Sequence, residues 1–382
     1  MSDLLKNLNP PQLETVSTLE GPMLVLAGAG SGKTRVLTRR LANLVAHGVP
    51  PHRIMAVTFT NKAANEMKER VQELIGGGAW NLWIGTFHSI AVKLLRIHGA
   101  RIGIDPHFLI YDADDQRQLV KRILRDCNKV CDAAAIRNTI SAIEMYRRQE
   151  IRQLFPPSDL VWEAYRERLN TAKAIDFSGL LEQVVQLKPH VQGLWDHVLV
   201  DEFQDTSRIQ FDMLRMVVPP TNNICVVGDD DQSIYSWRGA NPEYLLRFEK
   251  EFKGAKIIRL EQNYRSTGNI ITAASHLVAF NAVRRPKTLW TEQEAGEPLT
   301  VCKCAQSKEE ARWVVRTIRN RLREGASNGE FAILYRLNAQ SRSFEEELRR
   351  AQIPYRLVGG VRFYERAEIK DLISYLRLAL NT

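Results

Sequence analysis

The chain has 382 residues, 44% hydrophobic and 25% charged, an ordinary globular composition with room for two or three domains. No apolar run approaches the ~18–20 residues of a membrane helix, and the opening "MSDLLKNLNPPQ" lacks the basic and apolar stretches of a secretory signal, so a cytoplasmic protein without membrane contact is expected. The net charge of +9 comes from 53 basic and 44 acidic residues, with the excess toward the two ends. That balance favours a polyanionic partner, although arginine-rich solvated helices give the same sum.

In chain order, the first predicted unit is "MLVLAGAGSGKTRVLTRRLANLVAHG" (23–48). Met23–Ala27 reads as a buried strand. The turn over 28–32 is glycine-rich. Val36, Leu37, Leu41, Leu44 and Val45 recur at helical spacing, and Gly48 closes the helix. Strand, glycine loop and helix form the context of a phosphate-binding loop. Its backbone N–H groups turn inward, and the helix N-terminus adds positive potential. Lys33 is placed to reach the β/γ-phosphates of ATP, and Thr34 offers a hydroxyl to Mg²⁺. Ala27 stands where the first glycine of this pattern is usually written, but small size is kept. The competing reading is a glycine turn before an unrelated helix; Lys-Thr at this spacing, between these flanks, weighs against it.

Two further strand–loop–helix units follow. "IMAVTFTNKAANEMKERV" (54–71) puts Thr58, Phe59, Thr60, Asn61 and Lys62 at a strand tip. "WIGTFHSIAVKLL" (83–95) puts Thr86, Phe87 and His88 at another. Hydroxyls and amides that can bond phosphate oxygens alternate with aromatics that can hold a base, the composition of a single-strand groove. Taken singly, Phe59 or Phe87 reads first as a core aromatic and His88 as structural. Recurrence of aromatics at 59, 87 and 235/237 favours nucleic acid.

Residues 95–196 read as helical over Gln116–Cys127, Ala133–Gln149 and Leu160–Ala174, with few strand signals. "HVLVDEFQDTS" (197–207) then supplies a buried strand, Val198–Val200, with acids at its tip. In a parallel sheet the ligand crevice lies at the carboxyl ends of the strands. Asp201 is placed to hold Mg²⁺ and Glu202 to take a proton from the attacking water. Lys33 and Asp201 stand 168 positions apart. A βαβ unit takes only ~30 residues, so the excess marks 95–196 as an inserted helical domain. A third run, Ile224–Val227, is broken by Gly228 and leads into "GDDDQSIYSWRGA" (228–240), where acids, an amide and large aromatics share one loop. The five cysteines include two close pairs, Cys127/Cys131 and Cys302/Cys304, with no neighbouring ligands to complete a zinc site. Reduced thiols of a cytosolic protein are the reading.

Taken together, these stretches resemble the UvrD/Rep/PcrA helicases of superfamily 1, over essentially the whole chain. "LNPPQ" (8–12), "AGAGSGKTR" (27–35), "AVTFTNKAANEM" (56–67), "GTFHSIA" (85–91), "VDEFQDT" (200–206), "GDDDQSIYSWRGA" (228–240) and "LEQNYRS" (260–266) match the family's motifs in order. "AILYRLNAQSRSFEE" (332–346) and "IPYRLVGGVRFYERAEIKD" (353–371) match the opening of its second motor domain. The resemblance implies that Gln12 reads adenine, Tyr264 stacks on it, and Arg35 lies near the nucleotide. Ala27, Gly28, Ala29, Gly30, Ser31, Gly32, Lys33 and Thr34 would wrap the phosphates. Gln232 would sense the γ-phosphate, and Arg265 would contact it from across a domain cleft. Phe59, Thr60, Asn61, Thr86, His88, Tyr235 and Trp237 would meet single-stranded DNA, with Trp237 stacking on a base. Arg238 would brace its loop against the aspartates, which themselves read as ordering the turn.

The implied fold is α/β: a RecA-like P-loop NTPase parallel sheet with a helical insert, plus an incomplete second RecA-like domain. The boundaries are 1–94 with 197–277 for the first motor domain, 95–196 for the insert, and 278–382 for the first half of the second. The family's later motifs, including a second arginine finger, lie beyond what these residues match, so slow turnover is expected of this stretch alone. The implied function is ATP-dependent 3′→5′ translocation on and unwinding of DNA, with ATP and Mg²⁺ as cofactors. Single-stranded DNA, single/double-strand junctions and other repair or replication proteins are the expected partners. The rival readings are an ATP-gated single-strand-binding module and a repair scaffold with little turnover.

Overall fold

A computed structural model describes residues 2–76, 81–358 and Tyr375. The chain divides into two compact units, Met1–Glu297 and Pro298–Thr382. In the first, the strands are β1 (Met23–Ala27), β2 (Ile54–Thr58), β3 (Trp83–Thr86), β4 (Leu109–Tyr111), β5 (Ala174–Asp176), β6 (His197–Val200), β7 (Ile224–Gly228) and β8 (Lys256–Leu260). Six of them form one sheet in the order β3-β2-β6-β7-β1-β8, and every neighbouring pair is parallel.

The α/β fold follows from patterning. β1, β2, β6 and β7 are buried along their whole length, as strands covered on both faces must be. Their residues alternate between two layers. Leu24, Leu26, Met55, Val57, Val198, Val200 and Val226 join a core with Phe87, Leu94, Phe203 and Phe211. Met23, Val25, Ile54, Ala56, Leu199 and Val227 join a second core with Val36, Leu37, Leu41, Met67 and Val71. Burial of each such side chain is worth roughly 1.5–3 kcal/mol, so the sheet is a rigid platform for the loops at its ends.

The register carries the functional consequence. β7 lies between β1, which ends in the phosphate loop, and β6, which ends in Asp201. Across the carboxyl edge the tips run 86–88, 59–61, 201–202, 229–238, 28–32 and 261–265.

Helices Ala113–Asp126, Ala133–Arg147 and Ser158–Thr171 share a core of their own, built on Val120, Ile123, Leu124, Ile143, Val161 and Tyr165. β4 and β5 pair parallel at its base, a short ladder not foreseen in the helical reading. Helix Phe177–Val185, within the 95–196 segment, buries Leu180, Leu181 and Val184 in the sheet's core instead. Buried Arg147 ties the two parts together. Its Nη1 lies 2.7 Å from Asp176 Oδ2 and its Nε 2.8 Å from Glu182 Oε1, and Asp176 caps helix Phe177–Val185 through the Gly179 amide.

The second unit carries helices Ser307–Arg323 and Ser341–Arg350, which bury Ala311, Val315, Ile318, Phe344 and Leu348. Its described residues form no β-ladder, so the sheet of a second α/β domain expected over 278–382 is not seen among them. Most of the "IPYRLVGGVRFYERAEIKD" match lies outside the described residues. Among the described residues, no helix is long and apolar enough to cross a membrane.

Candidate functional site

The phosphate loop follows β1 and needs glycine at two points: Gly30 and Gly32 adopt φ of 68° and 88°, left-handed conformations. A Cβ at Gly30 would lie 2.5 Å from Asn263 Nδ2, and one at Gly28 would lie 2.1 Å from Leu289 Cδ2. Ser31 Oγ donates to Gly28 O at 2.7 Å, bracing the turn. Helix Lys33–Ala46 starts from Gly32 with no side-chain cap, which leaves its first amides to a phosphate.

Facing the loop, Asp201 is buried at the end of β6, where burial and then Glu202 push its carboxyl up to about 7. A buried carboxyl with a second acid next to it, across from the phosphate loop, offers oxygen donors of the kind that suit Mg²⁺. Glu202 sits in the left-handed region at φ 50°, an unusual conformation for this residue type. Its Oε2 lies 3.1 Å from Lys33 Nζ and accepts a hydrogen bond from Gln204 Nε2 at 2.8 Å. Asp205 is raised to about 6, by burial and then Glu202, and its Oδ1 is buried without a partner.

Gln12 is buried, with both polar ends in use. Nε2 donates to Ser31 O at 2.9 Å, and Oε1 accepts from the Asn9 amide at 3.2 Å. It thereby props the phosphate loop. Asn9 Nδ2 donates to Gln262 Oε1 (3.1 Å) and Tyr264 Oη (2.9 Å), leaving the Tyr264 ring exposed beside the loop. Arg35 is anchored on Asn7 O at 2.8 Å. The expected trans-cleft position of Arg265 is not what the register produces. Because Ala27 pairs with Leu260, residues 261–265 emerge in the same unit as the phosphate loop. Tyr264 N donates to Gly30 O at 3.0 Å, and a Cβ on Gly30 would touch Arg265 Cβ at 2.8 Å.

On the other side of β6, Phe59 and Tyr235 stack with centroids 4.7 Å apart. Tyr235 and Trp237 lie 6.3 Å apart, and Trp237 is 61% exposed. The Arg238 guanidinium covers both rings, 5.2 and 4.6 Å from their centroids. It braces the loop through the aromatics, which corrects the expectation that it pairs with the aspartates. Those are taken by Lys287, whose buried Nζ lies 2.7, 2.8 and 2.6 Å from Asp229, Asp230 and Asp231. The three carboxylates are grouped closely enough to hold a metal ion, and the ammonium fills that place. Gln232 has its amide turned onto Asp229 Oδ2.

Thr60 and Thr86 cap helices Asn61–Ile75 and Phe87–His98, and Thr86 Oγ1 reaches Asn61 Oδ1 at 3.5 Å. Phe87 is a core residue. His88 is held below its ordinary pKa by burial and meets Phe177 edge-on, so it offers a hydrogen bond and no charge at neutral pH. Sequence reasoning missed Asn9, Gln204, Gln262, Asn263, Lys287 and Leu289. Asn263 is the clearest signal overlooked: it lies inside "LEQNYRS", is buried, and donates to Ala29 O at 2.6 Å while accepting from the Arg265 and Ser266 amides.

A parallel sheet with a phosphate loop on one strand end and paired acids two strands away defines the P-loop nucleoside-triphosphatase class. Family models sharpen this: residues 8–253 match the UvrD/REP helicase N-terminal domain and 258–382 the UvrD-like helicase C-terminal domain. The chain belongs to the UvrD/REP helicase family. Relatives named ATP-dependent DNA helicase PcrA, from Staphylococcus epidermidis and Staphylococcus aureus, are each 42% identical over the whole of this chain and 55% of their own length. The chain thus spans about half the length of the curated relatives it matches.

Proposed function

We propose that this chain is motor machinery of an ATP-dependent 3′→5′ DNA helicase and single-strand translocase acting in repair or replication. The observation that carries it is the position of the 228–240 loop. Its start lies between the phosphate loop and the Asp201 strand, while Tyr235 reaches past β6 to stack on Phe59. One short segment therefore touches the nucleotide chemistry and the aromatic row together.

In the proposed reaction, the phosphate-loop amides and Lys33 hold the triphosphate. Thr34 and Asp201 would hold Mg²⁺, which when bound neutralises charge on the β/γ-oxygens. Water attacks the γ-phosphorus, Glu202 accepts its proton, and the bond to the β/γ-bridging oxygen breaks with ADP as leaving group. Lys33 leaves Glu202 for the phosphates as ATP enters, freeing the carboxylate to act as base. Tyr264 is assigned to the adenine face and Arg265 to the γ-phosphate; Gln232 would turn from Asp229 to sense it. Loop movement then changes the grip of Phe59, Tyr235 and Trp237 on DNA. A stacked base is worth about 1–3 kcal/mol, enough to make that grip switchable. Single/double-strand junctions are the proposed substrate, in the cytoplasm, with repair or replication proteins as partners.

The test is phosphate release with and without single-stranded DNA, together with strand displacement from duplexes tailed at 3′ or 5′. DNA-stimulated release and displacement only from the 3′ tail support the proposal. ATP hydrolysis indifferent to DNA would overturn it. Trp237→Ala is expected to weaken single-strand binding by about 1–3 kcal/mol with little sequence preference. Because Trp237 is exposed, melting should shift by no more than about 0.5 kcal/mol equivalent. A loss of several kcal/mol in stability would show a core role instead.

A further inference from the structure

We infer that Gln204 is a positioning residue that orients Glu202 for proton abstraction and joins it to the 228–240 loop. This rests on the hydrolytic reading above.

Gln204 lies in the short 3₁₀ turn Phe203–Asp205, immediately after the strained Glu202, and is 1% exposed. Its amide is used at both ends. Nε2 donates to Glu202 Oε2 at 2.8 Å, and Oε1 accepts from the Asp229 amide at 2.9 Å. Its backbone carbonyl accepts from Ser233 Oγ at 3.4 Å. The orientation of the amide is unambiguous, because a flipped group would set oxygen against carboxylate and N–H against N–H. Glutamate would lose the donor, methionine both groups, and asparagine the reach. Gly228 shows how closely the loop strand approaches: a Cβ there would lie 2.8 Å from Gln204 Oε1 and 2.7 Å from Leu245 Cδ1.

The consequence appears when nucleotide binds. Glu202 Oε2 has two donors, Lys33 Nζ and Gln204 Nε2. A triphosphate draws the phosphate-loop lysine away, and Gln204 then remains as the donor that fixes the carboxylate. Its other end grips the residue whose side chain holds Gln232. Proton acceptor, strut, loop and sensor thus form one chain: Glu202, Gln204, Asp229, Gln232. A shift of the loop re-aims the base, and a proton taken up by Glu202 is felt at the loop.

The experiment is a double-mutant cycle on DNA-stimulated hydrolysis, with rates for wild type, Q204M, Q204E, E202Q, E202Q/Q204M and E202Q/Q204E, and with ATP affinity and melting recorded for each. Q204M and Q204E are expected to lower kcat by about 10- to 100-fold, as misplacement of a reacting group does, with ATP affinity held within about threefold of wild type. In the E202Q background, Gln204→Met is expected to cost little more, because residues acting as a unit are non-additive. An equal fold-loss in both backgrounds, or an unchanged kcat in Q204M, would overturn the positioning role. Should Q204M not fold, the isosteric Q204E is read in the same cycle. A wild type that does not hydrolyse ATP overturns the proposed function itself, and this inference with it.

Discussion

Lys33→Ala is expected to reduce ATP hydrolysis by about 10²–10³-fold or more, the cost of removing a charge-stabilising group aimed at the transition state. Lys33 is 11% exposed at the start of helix Lys33–Ala46, with Glu202 3.1 Å away. Its loss leaves the neighbouring acids without that cation, so ATP binding should weaken as well. Glu202→Gln separates the two roles. The amide cannot take the water's proton, so turnover should fall by about 10²–10⁴-fold. It also removes the anion that holds Lys33 back and that helps push the Asp201 carboxyl up, so ATP–Mg²⁺ should bind at least as well as in wild type. Nucleotide binding measured by fluorescence titration, beside single-turnover phosphate release, reads both effects. Equal loss of binding in the two variants would remove Glu202 from the role of base.

Much of this site is legible in the sequence because its parts are local. The phosphate loop is one contiguous turn whose glycines are dictated by backbone conformation. The acids sit at the tip of a strand recognisable by its unbroken apolar run. Strand order is not local. That β7 separates β1 from β6, and so brings residues 228–240 between nucleotide and aromatics, depends on pairings such as Leu24–Val226 and Leu199–Cys225. The fate of single polar side chains is less legible still. Arg238 shares one loop with both acids and aromatics, and only packing shows that it lies over the rings. Nothing along the chain links Gln12 to Ser31, whose carbonyl the fold brings within its reach. The ladder β4–β5 joins segments some 65 residues apart in a stretch rich in helix formers. Lys287, in the featureless "RRPKTLW", gains its meaning from three carboxylates more than 50 residues earlier.

That lysine is the basis of the largest expected effect on stability. Lys287→Met should destabilise the first unit by about 3–5 kcal/mol, the usual cost of breaking a buried ion pair from one side. The side chains concerned are 1–5% exposed, so water cannot replace the ammonium, and three neighbouring carboxylates would repel one another. Arg284 still pairs with Asp231 at 2.8 Å, which sets the loss below that of a fully uncompensated cluster. Lys287→Arg keeps the charge but brings a planar fork to a site built around a point, and should fall between the two. Acid pH supplies an independent check. Burial disfavours the charged form of Asp231, yet Arg284, Lys287 and Asn281 outweigh it and hold its carboxyl below the ordinary range. Its contribution is therefore present at neutral pH and lost as pH falls below the usual carboxylate range through the depressed value. In Lys287→Met the carboxylates gain by protonation, so the gap between variant and wild type should be widest near neutrality and narrow on acidification. Denaturant unfolding at several pH values, with Asp230→Asn added to Lys287→Met as a partial rescue, measures this. A Lys287→Met protein as stable as wild type at neutral pH would mean that the cage does not close in solution. The anchor would then be lost from the segment that carries Leu289 across Gly28.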